Sequence, residues 1–287
     1  MSIKVSIKNL SYQISNINIF NNFTYDFLPG INIIMGNNGT GKTTLLNIIA
    51  GNLKLKNNEI ESGRIKYFDT SNSNKDISKT FMKNRLSNIG IVFQDNFLFD
   101  SLTFEDNLYI PLRFINTTKD KKHKLKSNIE DIVNSLLSKK KYMELKSKKV
   151  NQLSSGEKKK LSIIRAMVAI PKLLLVDEPT NHIDIEAKDW IIDFLKQQKE
   201  SNVTVILISH DNNFVIQLQK FVGINDILKL PFNNKEEKRI DGYTISESER
   251  KSKKTSIIND TPITITCDNN FFYEGNEDSD PITGCPV

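Results

Sequence analysis

The stretch Gly36-Asn37-Asn38-Gly39-Thr40-Gly41-Lys42-Thr43 constrains this chain more than any other, because it fits G-x-x-x-x-G-K-[ST] in the setting that pattern requires. The run Ile31-Asn-Ile-Ile-Met35 before it reads as a short buried strand. Thr44-Leu-Leu-Asn-Ile-Ile-Ala50 after it has apolar residues at helical spacing, and Gly51 can end that helix. A strand that breaks into a glycine turn and restarts as a helix suits a phosphate chain. Glycines let successive backbone N–H groups face inward, and the helix N-terminus that runs on through Thr44 adds positive charge. Lys42 brings a mobile cation, and Thr43 a hydroxyl suited to Mg²⁺. The alternative is a glycine turn with no ligand. Other parts of the chain argue against it.

Leu173-Leu-Leu-Val-Asp177-Glu178-Pro179 is a continuously apolar run ending in two carboxylates. Such a run reads as a central parallel strand, and ligands of open α/β sheets collect at its C-terminal edge. Asp177 can hold Mg²⁺ through water, and Glu178 can take a proton from an attacking water. Pro179 is expected to keep Glu178 extended. Leu153-Ser154-Ser155-Gly156-Glu157 opens a helix running to Ile170. Taken alone, this reads as a simple N-cap, with Ser154 or Ser155 capping and Glu157 in the first turn; Ser154 and Gly156 would also offer a hydroxyl and backbone N–H groups to a second anion.

Strand candidates at Ile3–Leu10, Phe23–Phe27, Arg64–Phe68, Ile89–Phe93 and Val203–Ile208 alternate with helix candidates at Glu157–Ile170 and Asp184–Lys199. This predicts an α/β fold with a parallel sheet core, antiparallel strands at the N-terminus and an inserted helical subdomain over about 95–155. Within the insertion, Leu125, Ile129, Ile132, Val133, Leu136 and Leu137 keep helical spacing amid lysines. Periodicity fades after residue 231. Residues 232–287 read as a tail, disordered or loosely docked, with one isolated strand-like run at Thr261–Thr266.

Charge and composition exclude more than they identify. The net charge is +6, with the tail at −4 and the remainder at +10. A basic body can meet RNA or an anionic membrane face. With only four alanines and abundant Lys, Asn and Ile, however, lysine is enriched everywhere and nucleic acid is not expected as a partner. No run reaches the length of a membrane span and no secretory leader is evident, which places the chain in the cytosol. Cys267 and Cys285 lack metal-ligand spacing and read as free thiols.

Together the motifs resemble those of the ATP-binding cassette (ABC) ATPases, in order over roughly residues 1–231, a P-loop NTPase fold. Gly36–Thr43 matches the Walker A loop, Phe93-Gln94 the glutamine loop and Leu153–Glu157 the signature. Val176–Pro179 matches the Walker B end, Asn181–Asp184 the D-loop and Ile208–Asp211 the histidine switch. The resemblance implies that Lys42 and the loop amides cradle the phosphates of ATP, while Thr43, Gln94 and Asp177 share Mg²⁺. Glu178 becomes the general base and His210 the γ-phosphate sensor. Tyr12 takes the place of the adenine-stacking aromatic, with Phe20 and Tyr25 as competitors. It also implies a head-to-tail dimer, homo- or heteromeric, in which Ser154, Ser155, Gly156 and Glu157 act in trans. The signature departs from the commonest form at Ser155 and Glu157.

One cassette without a span then implies the ATPase subunit of an ABC transporter, peripheral on the inner face of a membrane through a separate permease. The segment Thr103–Leu112 resembles exporter ATPases of the lipoprotein-release and macrolide type. The alternative is a non-transport cassette. Asp177–Asp184 resembles ribosome-associated ABC proteins, and Ser-Gly-Glu-Lys-Lys resembles the signature of iron–sulfur assembly ATPases.

Overall fold

The computed structural model describes residues 2–14, 17–53, 64–114 and 119–230, together with the pairs 239–240 and 243–244. The rest of the 232–287 segment, with Thr261–Thr266, Cys267 and Cys285, lies outside the described residues.

Two sheets form the body. A four-stranded antiparallel sheet has the order β2-β1-β4-β5, from β1 (Ile3–Ile14), β2 (Ile17–Phe27), β4 (Arg64–Asp69) and β5 (Lys75–Asp76). A five-stranded parallel sheet has the order β6-β7-β8-β3-β9, from β3 (Ile31–Gly36), β6 (Ile89–Val92), β7 (Leu173–Asp177), β8 (Thr204–Ile208) and β9 (Asp226–Leu230). The fold class read from the sequence is therefore correct. The N-terminal strands are longer than the apolar patterning indicated: β1 runs on to Ile14 and β2 begins at Ile17, joined by ladder pairs such as Tyr12 with Phe20. Neither β9 nor the small hairpin of β10 (Arg239–Ile240) and β11 (Tyr243–Thr244) was read from the sequence.

Side-chain alternation explains why the central strands are apolar throughout. Leu174 and Val176 of β7, with Val205 and Leu207 of β8, enter one core cluster; Leu173, Leu175, Ile206 and Ile208 enter the other. Each strand thus has two buried faces, as a parallel sheet covered on both sides requires. One face carries α1 (Lys42–Ile49) and the antiparallel sheet. Thr204 ties the two sheets, its hydroxyl donating to the Ile3 carbonyl and accepting the Ile3 N–H.

The other face carries α7 (Ser155–Met167), α8 (Ile185–Glu200) and α9 (Asn212–Phe221). Short helices α2 (Ser78–Lys83) and α3 (Arg85–Asn88) lead into β6. Between β6 and α7 stand α4 (Phe104–Phe114), α5 (Lys119–Leu136) and α6 (Lys139–Leu145). Ile129, Val133, Leu136 and Leu137 are buried on the apolar side of this helical region. The Trp190 indole N–H of α8 donates to the Leu136 carbonyl at 2.7 Å, fixing α5 against α8.

Candidate functional site: a phosphate loop at the edge of the parallel sheet

β3 ends at Gly36, where φ is +150°, and the chain turns through Gly39 (+80°) and Gly41 (+93°) into α1. The close approach explains Gly36 and Gly41. A Cβ on Gly36 would lie 2.4 Å from the Leu230 carbonyl oxygen, and one on Gly41 2.6 Å from Ile19 Cγ2. Lys42 is 7% exposed, and its ammonium donates to the carbonyls of Gly36 at 2.8 Å and Asn37 at 2.9 Å. It braces the loop whose amides it would join at a phosphate. The Thr40 hydroxyl donates to the Asn37 carbonyl at 2.9 Å.

Asn38, Gly39, Gly41, Lys42, Thr43 and Thr44 line an open cleft of about 270 Å³, closed by Ile19, Gln94, Asp177 and Glu178. Nine of the residues singled out in the sequence therefore line one cleft: six of the phosphate loop and its helix, with Gln94, Asp177 and Glu178. Tyr12 is not in this lining; the β1–β2 ribbon contributes Ile19 instead. No sequence signal singles out that isoleucine, because ribbon register alone puts it there.

β7 delivers the carboxylates. Asp177 Oδ2 accepts the Thr43 hydroxyl at 2.8 Å, while its buried Oδ1 has no hydrogen-bond partner among the described residues. Burial pushes the Asp177 carboxyl above its ordinary range; Thr43 lowers it, Glu178 adds to the rise, and Lys42 and Lys159 also lower it. Among the described residues no cluster of three His, Cys, Asp or Glu could hold a metal. An orphaned carboxylate oxygen beside a hydroxyl and an amide nevertheless fits Mg²⁺, a hard cation that completes its shell with water and substrate phosphate.

Glu178 is not extended, contrary to the expectation from Pro179. Its φ is +45°, in the left-handed region. Its N–H donates to the Ile208 carbonyl at 3.1 Å, so the last rung of β7 on β8 sets the backbone against the bias of the following proline. The result aims Glu178 at the end of β8. Its Oε2 lies 2.8 Å from His210 Nδ1 and accepts the His210 N–H at 3.4 Å. Asp211 caps α9, accepting the Phe214 N–H at 3.1 Å, and pairs with Lys188 of α8 at 2.9 Å.

The Ser154–Glu157 group lies apart, since none of its members lines the cleft. It forms a full capping box: the Glu157 N–H donates to Ser154 Oγ at 3.1 Å, and the Ser154 N–H to Glu157 Oε2 at 3.0 Å. Lys141 of α6 pairs with Glu157 Oε1 at 2.7 Å. Burial works to raise the Glu157 carboxyl, but Lys141 and the Ser154 amide outweigh it and hold it below its ordinary range. The Ser154 hydroxyl proton remains available to an acceptor. Asp184 caps α8 through the Ala187 N–H at 2.7 Å. A Cβ on Gly156 would meet Ala187 Cβ at 3.0 Å and Asp184 Oδ2 at 3.3 Å, so the glycine lets α7 start close against α8.

A family model described as ABC transporter matches residues 20–181. The chain is 34% identical to the spermidine/putrescine import ATP-binding protein PotA of Borreliella afzelii (strain PKo), over 81% of this chain and 63% of that protein. It is also 34% identical to the tyrosine transport ATP-binding protein of Clostridioides difficile (strain R20291), over 74% of this chain and 84% of the other. Among solved structures, the dimeric structure of MJ0796, a bacterial ABC transporter cassette, superposes with a TM-score of 0.58 at 26% identity. That match covers 78% of this chain and 94% of the cassette. The chain spans less than two thirds of the length of the PotA proteins it matches, 63% and 54% in two cases. These findings and the site geometry agree: this chain belongs to the ABC transporter family, as an ATP-binding cassette.

Proposed function

We propose that the chain binds and hydrolyses ATP as the ATPase subunit of a transporter and works with a separate membrane permease. The observation that carries the reading is the placement of Glu178 within 2.8 Å of His210 Nδ1, on the rim of a cleft walled by the phosphate loop and Asp177. In this role the loop amides and Lys42 bind the phosphate chain. Glu178 accepts the proton of the attacking water, and His210 orients that carboxylate while it faces the terminal phosphate. Phosphoryl transfer needs mainly such positioning and charge stabilisation. Mg²⁺, when bound, neutralises developing charge on the phosphate oxygens. Thr43, Asp177 and Gln94 are the residues that would hold it. Tyr12 lies outside the cleft lining, so the adenine contact falls to the β1–β2 ribbon that carries it and that contributes Ile19 to the cleft.

The dimer reading follows from the separation of the two anion sites. The capped start of α7 serves a nucleotide held by a second cassette, which suits a chain similar to a cassette solved as a dimer. Relatives named for spermidine/putrescine import and tyrosine transport favour transport over a ribosome-associated or iron–sulfur assembly role. Among the described residues no helix is long and apolar enough to cross a membrane, so the permease is a different chain or segment. Residues 1–231 make the cassette, and 232–287 are dispensable for its chemistry.

Mixing Lys42→Ala with Ser154→Arg tests completion between subunits. Each variant alone is expected to be inactive. A head-to-tail heterodimer keeps one site with both an intact loop and an intact signature, and regains part of the ATPase rate. A mixture no more active than its components, despite heterodimers seen by mass, would defeat the arrangement. Co-purification from detergent-extracted membranes with an integral protein tests the transport role, and recovery with ribosomes instead would overturn it.

A further inference from the structure

α7 does more than present the capped serine at its N-terminus. Further along it, Lys159 and Ser162 are 2% and 1% exposed. The Lys159 ammonium donates to the carbonyls of Phe93 at 3.2 Å and Gln94 at 3.0 Å. Ser162 Oγ donates to the Asn96 carbonyl at 3.4 Å, and the Arg165 guanidinium donates to the carbonyls of Asn96 and Phe97 at 2.8 Å each. With a spacing of three, these side chains share one side of the helix. One helix face therefore grips four carbonyls of the segment that leaves β6.

Burying an ammonium is costly unless it is compensated. Among the described residues no carboxylate forms an ion pair with Lys159. Asp177 and Asp95 act on it only at longer range, without a direct contact. Its charge is directed instead at the backbone that carries Gln94, a residue on the wall of the nucleotide cleft.

We propose that Lys159, supported by Arg165, is a positioning residue for Gln94: it fastens the Gln94 segment to the helix that begins with Ser154. The side chain facing this chain's own nucleotide and the hydroxyl facing a second one then sit on a single rigid body. Displacing one displaces the other. The inference rests on the cassette reading above.

Lys159→Met keeps the apolar stem and removes the donors. Turnover is expected to fall by roughly 10–100-fold, the scale of a small misplacement of a catalytic group. Fluorescent-ATP affinity measured without Mg²⁺ stays within about twofold, and the melting temperature does not fall. Lys159→Gln retains one donor and recovers part of the rate. Both variants remove the charge that acts on Asp177, so the rate that Lys159→Gln regains over Lys159→Met measures the tether, and in a Gln94→Ala background that difference disappears. A difference that survives in that background would overturn the proposal, as would a Lys159→Met rate within about twofold of the parent.

Amide hydrogen exchange over residues 93–99 supplies a readout that needs no turnover. Lys159→Met should speed it about tenfold while β7 and β8 keep their protection. Unchanged exchange refutes the tether even if the rate drops. Should Lys159→Met fail to fold, Arg165→Gln carries the same exchange test. If the parent protein hydrolyses no ATP, the cassette reading fails, yet the exchange result still decides the tether.

Discussion

Replacing Glu178 with glutamine changes one charge and almost no volume. The carboxylate is 6% exposed beside Asp177, itself 5% exposed. Its Oε2 accepts from the His210 backbone N–H and lies 2.8 Å from His210 Nδ1, and an amide oxygen can keep both contacts. What disappears is the carboxylate proposed as the proton acceptor. Loss of a positioned base costs about 10²–10⁴-fold. At about 1.36 kcal/mol per decade that is about 2.7–5.4 kcal/mol of barrier.

Binding should move the other way. Glu178 helps to raise the Asp177 carboxyl through like-charge repulsion, and the same charge faces the incoming phosphates. Relieving about 1 kcal/mol of repulsion would tighten ATP binding about fivefold. The assay pairs phosphate release at saturating ATP with a fluorescent-ATP titration and a thermal melt. Turnover should fall at least about 100-fold, with affinity and melting temperature equal or higher. Turnover within about twofold of the parent would refute Glu178 as the base. A rate loss accompanied by equal losses of binding and stability would show a disturbed site instead.

Gly41→Ala should destabilise by more than the roughly 1–2 kcal/mol of a left-handed backbone, because its Cβ would meet Ile19 Cγ2 at 2.6 Å and Phe20 Cζ at 3.1 Å. Gly39→Ala, with no atom within 4 Å of its Cβ, should bear the backbone cost alone, and equal melting temperatures for the two would contradict the contact argument. The Asp76 carboxyl is held down to about 2 by the Ser78 hydroxyl and amide and by Lys66. Because its folded value lies below the unfolded one, its stabilisation is present above the ordinary carboxylate range and lost as pH falls towards 2. Urea melts of the parent and Asp76→Asn should therefore differ at neutral pH and converge near pH 2; a gap independent of pH would exclude the carboxylate as its cause.

Where local chemistry and tertiary demand coincide, the sequence can be read directly. The phosphate loop is such a case: φ values above zero select glycine, and the flanking strand and helix declare themselves by burial pattern. The apolar runs of β7 and β8 are another, since a strand with two covered faces has no polar position to spare. The capping box at Ser154 and Glu157 follows from residue type and spacing alone. The missed elements lack such marks. β9 joins the sheet edge by pairing with β3, and the Phe104–Phe114 helix carries Pro111 within it, a residue that argues against a helix interior.

The α/β class, the phosphate loop and the paired carboxylates Asp177 and Glu178 were thus legible along the chain, because each rests on spacing within a few residues, whereas His210 was singled out only by the family resemblance. How those residues meet depends on contacts that form only in the folded core. Glu178 turns to φ +45° because β8, not its neighbour Pro179, holds its N–H. Ile19, rather than Tyr12, reaches the cleft because bulges in the β1–β2 ladder set which side chains face Gly41. Lys159 reads as one more lysine in a lysine-rich chain. It becomes a tether only because α7 packs beside the end of β6, 66 residues away in sequence and 3.2 Å away in space. Spacing along the chain encodes local turns and caps, whereas contacts of that separation exist only once the core has closed.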